Sequence, residues 1–489
     1  MFHRFSPLLS SRERLEYGLV SWLFIKLLAL VYIAAFASFA VQVPGLIGSH
    51  GIQPAALYLQ RVSEGLGGSA YRLVPTLLWL GSSDRFLQGA CVAGIFWGCL
   101  ALFGVLWRAA LVGAFALYLS LVSVSQEFLS YQWDFLLLEA GFLAIFTGYS
   151  QIIIWLFRWL LFRLMFLSGA VKLFSGDPTW RSLTALTFHY QTQPLPTPLA
   201  WYAQQLPVWF QKASCLGVFI IELGFALLIL GPRRARLIAL PPLLALQVLI
   251  ALTGNYAFFN LLAMSLCVFL LDDEALARIL PHRIRTRKVV SEGRVQGALA
   301  GSMALLVSVL SVAQITEQYF GVLPASAKTV VSLAAPYGIS NSYGLFAVMT
   351  TRRPEIVVEG SRDGVEWHAY GFQYKPGELQ QRPGWVAPRQ PRLDWQMWFA
   401  ALGSYRENIW FVNFLARLLQ GSPEVLALLG NNPFPGQPPK YVRALLFDYS
   451  FTDYRQTSGD WWIRRPGGTY LRAVSLEDLS DLPILRGGS

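Results

Sequence analysis

The sequence predicts a polytopic α-helical membrane domain of about nine spans over residues 1–320, followed by a β-rich, sandwich-like soluble domain with helical insertions over residues 321–489. Three observations lead there. Of 489 residues 54% are hydrophobic and only 14% charged, so water is not the main solvent of this chain. Apolar runs repeatedly approach or exceed the roughly 17–25 residues that a helix needs to cross hydrocarbon, and lipid forces such runs to be helical. Beyond about Pro354 the apolar residues alternate instead, the period of a half-buried strand.

The predicted spans are 17–41, 86–107, 109–127, 134–150, 151–174, 212–230, 237–253, 257–271 and 297–320, with Tyr71–Leu80 as a re-entrant or interfacial segment. The first apolar run, Leu19 to Val41, is too long for a cleavable signal and reads as a signal anchor. Basic residues sort to one side of this arrangement. Arg4, Arg12 and Arg14 place the N-terminus in the cytoplasm, and Arg108, Arg233, Arg234 and Arg236 fall at turns on the same side. So does the segment 272–296, with Arg278, Arg283, Arg285, Arg287, Lys288 and Arg294. An odd number of crossings then puts the C-terminal domain outside, together with the loops 42–85, 128–133, 175–211 and 254–256.

A net charge of +11 and a pI near 9.5 invite comparison with nucleic-acid binders. The basic residues here cap apolar runs rather than forming an aromatic-laced patch, so the partner they indicate is the lipid bilayer and not nucleic acid. Cys91, Cys99, Cys215 and Cys267 all lie in or beside apolar runs, without metal-ligand or CxxC spacing. His3, His50, His189, His282 and His368 are scattered. No metal site and no cofactor motif is predicted. Arginine outnumbers lysine 32 to 7, a bias common in GC-rich bacterial genomes.

In the C-terminal domain, Ile356–Gly360 and Val365–Tyr370 flank Asp363-Gly364, a strand–turn–strand pattern in which glycine supplies the positive-φ position. Tyr441–Thr452 and Trp461–Ser475 form a second strand group, and Trp395–Leu402 and Asn408–Leu419 carry helical patterns between them.

Candidate functional residues collect on the outer side. In Ser130–Glu139, Gln132 and Glu139 share a helix face, Trp133 suits an interfacial belt, and Asp134 is a candidate N-cap. Glu139 lies inside the membrane, where an ionisable group is either paired, here with Lys26 or Lys172, or functional. Lys172 stands at the outer end of a span, close enough to snorkel. Asp177-Pro178 opens a short helix carrying Trp180 and Arg181, and His189, Tyr190 and Gln193 follow. Lys172 or His189 could serve as an acid–base group; a capped interfacial helix with a structural histidine is the other reading. Glu222 sits mid-span, and Asn255, Tyr256 and Asn260 mark an outer turn where amides bond between helices. In the C-terminal domain Arg389, Arg392 and Asp394 could form an ion-pair cluster beside Trp395, Trp398 and Phe399. Alternatively those three aromatics are the buried stripe of a helix on the β domain.

These motifs, Gln132-Trp133-Asp134…Leu138-Glu139, Gly176–Arg181…His189-Tyr190…Thr192–Pro196 and Thr253–Tyr256…Phe259–Leu261, resemble the lipase maturation factor family. So do Tyr343–Phe346, Met349–Thr351, Arg353–Glu355, Lys375–Gly377 and Ala387–Leu402. The resemblance implies an endoplasmic-reticulum membrane protein that assists folding and assembly of secreted lipases, with its C-terminal region in the lumen. In a bacterial source it implies the cell membrane and other exported clients. The C-terminal domain has no cysteine, so a disulfide-handling role has no thiol there. Gly169-x-x-Lys172-Leu173 with Trp180 also resembles, over a few residues, the membrane domain of vitamin-K-dependent carboxylase relatives, which implies an outer-leaflet enzyme with Lys172 as base and His189 and Glu139 as further candidates. A transporter is the third alternative, without a visible inverted repeat.

Overall fold

A computed structural model describes residues 17–281, 293–456 and 459–480. Arg4, Arg12, Arg14, Arg283, Arg285, Arg287 and Lys288, and with them part of the sidedness argument, lie outside the described residues, as do His3 and His282.

Among the described residues seven helices, rather than nine, are long and apolar enough to cross a membrane: α1 (Gly18–Ala40), α2 (Asp84–Phe103), α3 (Trp107–Val124), α5 (Gln151–Phe174), α6 (Val208–Leu228), α7 (Arg233–Thr253) and α9 (Arg294–Phe320). The other two predicted spans are shorter helices, α4 (Gln132–Ile145) and α8 (Phe259–Leu270). The expected 134–150 run stops early because the chain turns at Gly148, whose φ of +82° is open to glycine at little cost.

α1 and α5 are the most deeply buried of the seven. They meet α8 through a ring cluster in which Phe24 lies 4.7 Å from Phe157 and 4.6 Å from Phe269, and Phe157 stacks on Phe269 at 4.2 Å. Small residues let α2 approach α1, since a Cβ at Gly94 would overlap the Phe36 ring and one at Gly98 would come within 2.7 Å of Ile33.

The two ends of the bundle are tied differently. At the end away from the C-terminal region, Asp273 caps α1 by accepting from the Leu19 and Val20 amides at 3.0 and 2.9 Å, Arg233 pairs with Asp272, and Arg158 donates to the Phe269 carbonyl at 2.9 Å. Arg108 reaches the Thr147 carbonyl there at 3.1 Å, so α4, short as it is, runs from this end to the C-terminal region.

The C-terminal region is two-layered. Strands β1 (Arg353–Ser361), β2 (His368–Ala369), β3 (Tyr441–Phe451) and β4 (Trp462–Val474) form one antiparallel sheet in the order β2-β1-β3-β4. The Asp363-Gly364 turn is present, with Gly364 at φ +80°. The expected sandwich is replaced by this single sheet covered by helices α10 (Arg392–Ala401) and α11 (Ile409–Leu419). The apolar stripe Phe411, Phe414, Leu415 and Leu418 of α11 is fully buried, and Phe411 meets the Tyr470 ring of β4 edge-on at 5.3 Å. With that stripe available, a second sheet is not needed to bury the first.

Gly94→Val should cost about 1–3 kcal/mol by overpacking the α1–α2 contact, whereas Gly217→Val, where nothing lies within 4 Å of the new Cβ, should be nearly neutral. Thermal unfolding of the purified protein in detergent checks both.

Candidate functional site

The motif residues on the membrane helices and those in the C-terminal region meet along one seam, and most of them bond each other across it. Asp134 and Glu139, both without accessible surface, show how.

Asp134 enters α4 in its first turn, where the unpaired amides favour a carboxylate. It receives a bidentate pair from Arg392, Nη1 to Oδ2 at 2.6 Å and Nη2 to Oδ1 at 2.8 Å, and a third bond from the Tyr118 hydroxyl at 2.5 Å. Such a fork matches the carboxylate in both geometry and charge. Burial lowers the affinity of Arg392 for its proton, but Asp134 beside it outweighs that and the guanidinium ends above its usual range. Arg392 thus pairs with Asp134, whereas the sequence reading sets it beside Asp394. Asp394 accepts instead from the Tyr374 and Lys375 amides at 2.8 and 2.9 Å; burial raises its carboxyl to about 6, against the pull of these bonds. Arg389 bonds the Tyr374 hydroxyl and the Gln373 side chain at 3.0 and 3.2 Å. The expected three-residue cluster therefore does not form.

Around the Asp134–Arg392 pair the seam closes with aromatics and amides. Trp133 donates to Gln390 Oε1 at 2.8 Å, and Gln42 Oε1 accepts from the Arg392 amide at 2.8 Å. Trp133 stacks on Tyr131 at 4.8 Å and meets Trp395 edge-on at 5.0 Å. Trp395 and Trp398 are buried, but against the membrane half as well as the sheet: Trp395 touches Tyr256 at 5.9 Å, and Trp398 donates to the Thr192 carbonyl at 2.8 Å. Phe399 stays 44% exposed, which breaks the expected three-aromatic stripe.

Glu139 pairs with neither Lys26 nor Lys172. Its partner is Arg163 of α5, and its other oxygen accepts from the Tyr343 hydroxyl at 2.8 Å and the Asn341 amide at 3.0 Å. Gln132, on the same helix face, accepts from the Gly344 amide at 3.2 Å.

Asp177 caps its helix as predicted, accepting from Thr179 at 2.7 Å and Trp180 at 3.2 Å, and its second oxygen takes the Met349 amide at 3.0 Å. Burial works to raise this carboxyl, but the bonds from Thr179, Met349 and Trp180 prevail and hold it below the usual range. Trp180 donates to the Phe346 carbonyl at 2.9 Å, while Arg181 is exposed. Arg353 reaches the Gln191 and Pro194 carbonyls at 2.8 and 2.7 Å and also bonds that of Gln193. Gln193 accepts from the Tyr256 hydroxyl at 2.8 Å, and Asn255 accepts from the Val386 amide at 2.8 Å while donating to the Gly384 carbonyl at 2.9 Å. Of the two amides expected to bond between helices, only Asn260 does, donating to Gln247 at 2.9 Å.

Lys172 is buried rather than snorkelling. Its ammonium meets Glu222 Oε2 and Oε1 at 2.7 and 3.0 Å and the Ser168 carbonyl at 3.0 Å, so all three donors are used. Glu222 lies in a π-helical stretch, Ile220–Phe225. A lysine so held has no lone pair directed at a substrate. His189 and Tyr190 sit nearby, partly buried; burial, with Lys172 adding to it, pulls the His189 imidazole down to about 4, and burial pushes the Tyr190 phenol up to about 12.

Arg163, Asn341, Gln42 and Glu222's pairing with Lys172 were not anticipated as site features. Arg163 had a readable signal, a guanidinium within a long apolar run; Gln42 had none.

Removing one partner of a buried pair strands the other, at about 3–5 kcal/mol. Asp134→Ala and Arg392→Met should each destabilise by that order, and the double variant by much less than their sum. Additive losses in the unfolding midpoint would show the two to be uncoupled. For His189 the sign follows from its lowered value. The unfolded chain takes up a proton near 6.5 and the folded one only near 4, so stability present above pH 6.5 is lost as pH falls towards 4. His189→Gln should flatten this part of the stability profile, measured by thermal unfolding across pH 4–7.

Residues 19–278 match the family model described as lipase maturation factor transmembrane domain, and residues 339–472 that described as lipase maturation factor C-terminal domain. The chain is 36% identical to chicken (Gallus gallus) lipase maturation factor 2, covering 93% of this chain and 81% of the relative. It is 36% identical to human lipase maturation factor 2, over 95% and 84%, and 34% identical to mouse lipase maturation factor 1, over 94% and 87%. No solved structure matches. With both family regions present in order and this identity over most of its length, the chain belongs to the lipase maturation factor family.

Proposed function

We propose that the protein is a membrane-anchored factor that assists folding and assembly of exported proteins, lipases among them. Its N-terminus is cytoplasmic and its C-terminal domain, residues 321–489, lies outside, in the endoplasmic-reticulum lumen or, in a bacterium, beyond the cell membrane; residues 1–320 are the anchor. Membership of the family supports the client class. Arg108, Arg233, Arg236 and Arg278, all near the bundle end away from the C-terminal region, support the orientation. The observation that carries a binding role rather than a catalytic one is the internal pairing of the motif charges: Asp134, Glu139, Lys172, Asp177 and Arg392 each hold a partner within the chain. They build a rigid platform for the outer domain. The four cysteines, Cys91, Cys99, Cys215 and Cys267, belong to the membrane half, so the outer domain works by contact and not by thiol exchange. The three bonds of Lys172 leave the carboxylase-like reading without its base.

In cells that secrete a dimeric lipase but lack their own factor, expression of this protein should raise secreted lipase activity several-fold, and Arg392→Ala should abolish the gain by loosening the platform. Crosslinking in those membranes should recover the newly made lipase on the wild-type protein. Unchanged secretion with normal protein level, or recovery of lipid and membrane neighbours alone, would sink the proposal.

A further inference from the structure

The chain between α1 and α2 carries a feature that the seam does not use. The helix Ala55–Leu66 and the segment 71–82 enclose an open groove of about 380 Å³, lined by Leu59, Gln60, Glu64, Tyr71, Trp79 and Ser82 among others. Its depth is fixed by hydrogen bonds to α3: Thr76 donates to the Ser120 carbonyl at 3.0 Å, and the Leu77 amide donates to Ser120 Oγ at 2.9 Å. Ser120 lies four residues before Val124, the end of α3, so the segment dips about 6 Å below the end of that helix.

Around the groove the surface is apolar and uncovered. Leu73, Leu77 and Leu80 are 40%, 44% and 82% exposed. Inside it the chemistry is different. The Tyr71 and Trp79 rings stand 4.9 Å apart, with the indole held by its bond to the Val74 carbonyl at 2.9 Å. Glu64 is positioned by Gln60, which donates to it at 2.8 Å, and among the described residues it makes no ion pair with a basic side chain. Two aromatic faces and an unneutralised carboxylate attract a cation, and at this depth the abundant cations are lipid ammonium groups.

We propose that this groove seats the ammonium-bearing headgroup of a phospholipid from the leaflet on the side of the C-terminal region, with Leu73, Leu77 and Leu80 against its acyl chains. Tyr71 and Trp79 contact the ammonium by their ring faces, and Glu64 supplies the countercharge. A headgroup without a cation lacks both interactions. The groove therefore selects ethanolamine and choline phospholipids over glycerol ones.

The test uses the full-length protein in nanodiscs of equal phosphatidylethanolamine and phosphatidylglycerol, with native mass spectrometry of the lipids kept after release. The wild type should retain the ethanolamine lipid in about fivefold preference, the size expected of one exposed cation–π contact and one surface ion pair together. Glu64→Gln with Tyr71→Leu, both at exposed positions, should bring the ratio near one, and exchanging ethanolamine for choline lipid should preserve the preference. Equal retention of the two lipids by the wild type, or a preference that survives both substitutions, would overturn the proposal. So would a lysine-rich peptide that occupies the groove in the absence of any lipid preference, since that would mark it as a protein-docking site.

Discussion

A carboxylate with no accessible surface needs donors that replace water, and Asp134 obtains its strongest ones from a residue 258 positions later in the chain. The demand is severe, because an unpaired buried charge costs several kcal/mol. It is also directional. The Arg392 fork accepts the carboxylate in one plane, its amide is bound by Gln42, and its other Nη bond goes to the Phe128 carbonyl. With those three points fixed, α10 has one position on the bundle, and Trp395 lands between Trp133 and Tyr256. The sheet follows, since α10 packs on it. One ion pair thus fixes where the C-terminal region sits.

Two further buried ion pairs lie at different depths. Lys172 and Glu222 cancel each other between α5 and α6 and tie two membrane helices together. Glu139 and Arg163 do so between α4 and α5, but the carboxylate has capacity left, and Asn341 and Tyr343 use it. The chain leaving α9 is therefore held to the bundle before the sheet begins. Bonds to backbone groups fill in the rest: Asp177 takes the Met349 amide, and Arg353 takes carbonyls of the loop 191–194. Each is a local motif on one side whose unmet hydrogen-bonding need is answered by a motif on the other.

Much of this was legible in the sequence as need and little of it as pairing. Span positions followed from apolar runs, because the bilayer imposes a length. The strands β1, β3 and β4 and the helices α10 and α11 followed from period, and the Asp177 cap from its proline neighbour. The sandwich did not materialise because period cannot say whether a strand's buried face meets a sheet or a helix, and here α11 supplies that face. Glu139 was recognised as a charge needing a partner, but Lys26 and Lys172 were considered and Arg163 was overlooked, although it too lies inside an apolar run. Arg392 was placed beside Asp394, two residues away, when its partner stood across the seam. Sequence separation carries no penalty once the chain is folded, so proximity along the chain was a poor guide to which charges meet.

The internal pairing of the seam's charges also constrains where function can reside. A side chain whose donors and acceptors are already satisfied gains nothing by binding a client, and exposing it would cost its present partners. Contact with other molecules must then fall on surfaces the seam leaves uncovered. These are apolar and unshared: Val365 at the β1–β2 turn, Trp385 beside the segment held by Asn255, and Phe399 on the outer side of α10 are 79%, 57% and 44% exposed. A weak apolar contact with an unfolded client is then not taxed by ordering the factor itself, because that entropy has already been spent in docking the C-terminal region. On the proposed function, the motif residues and the surface that meets a client are different residues, linked because the first set holds the second in place.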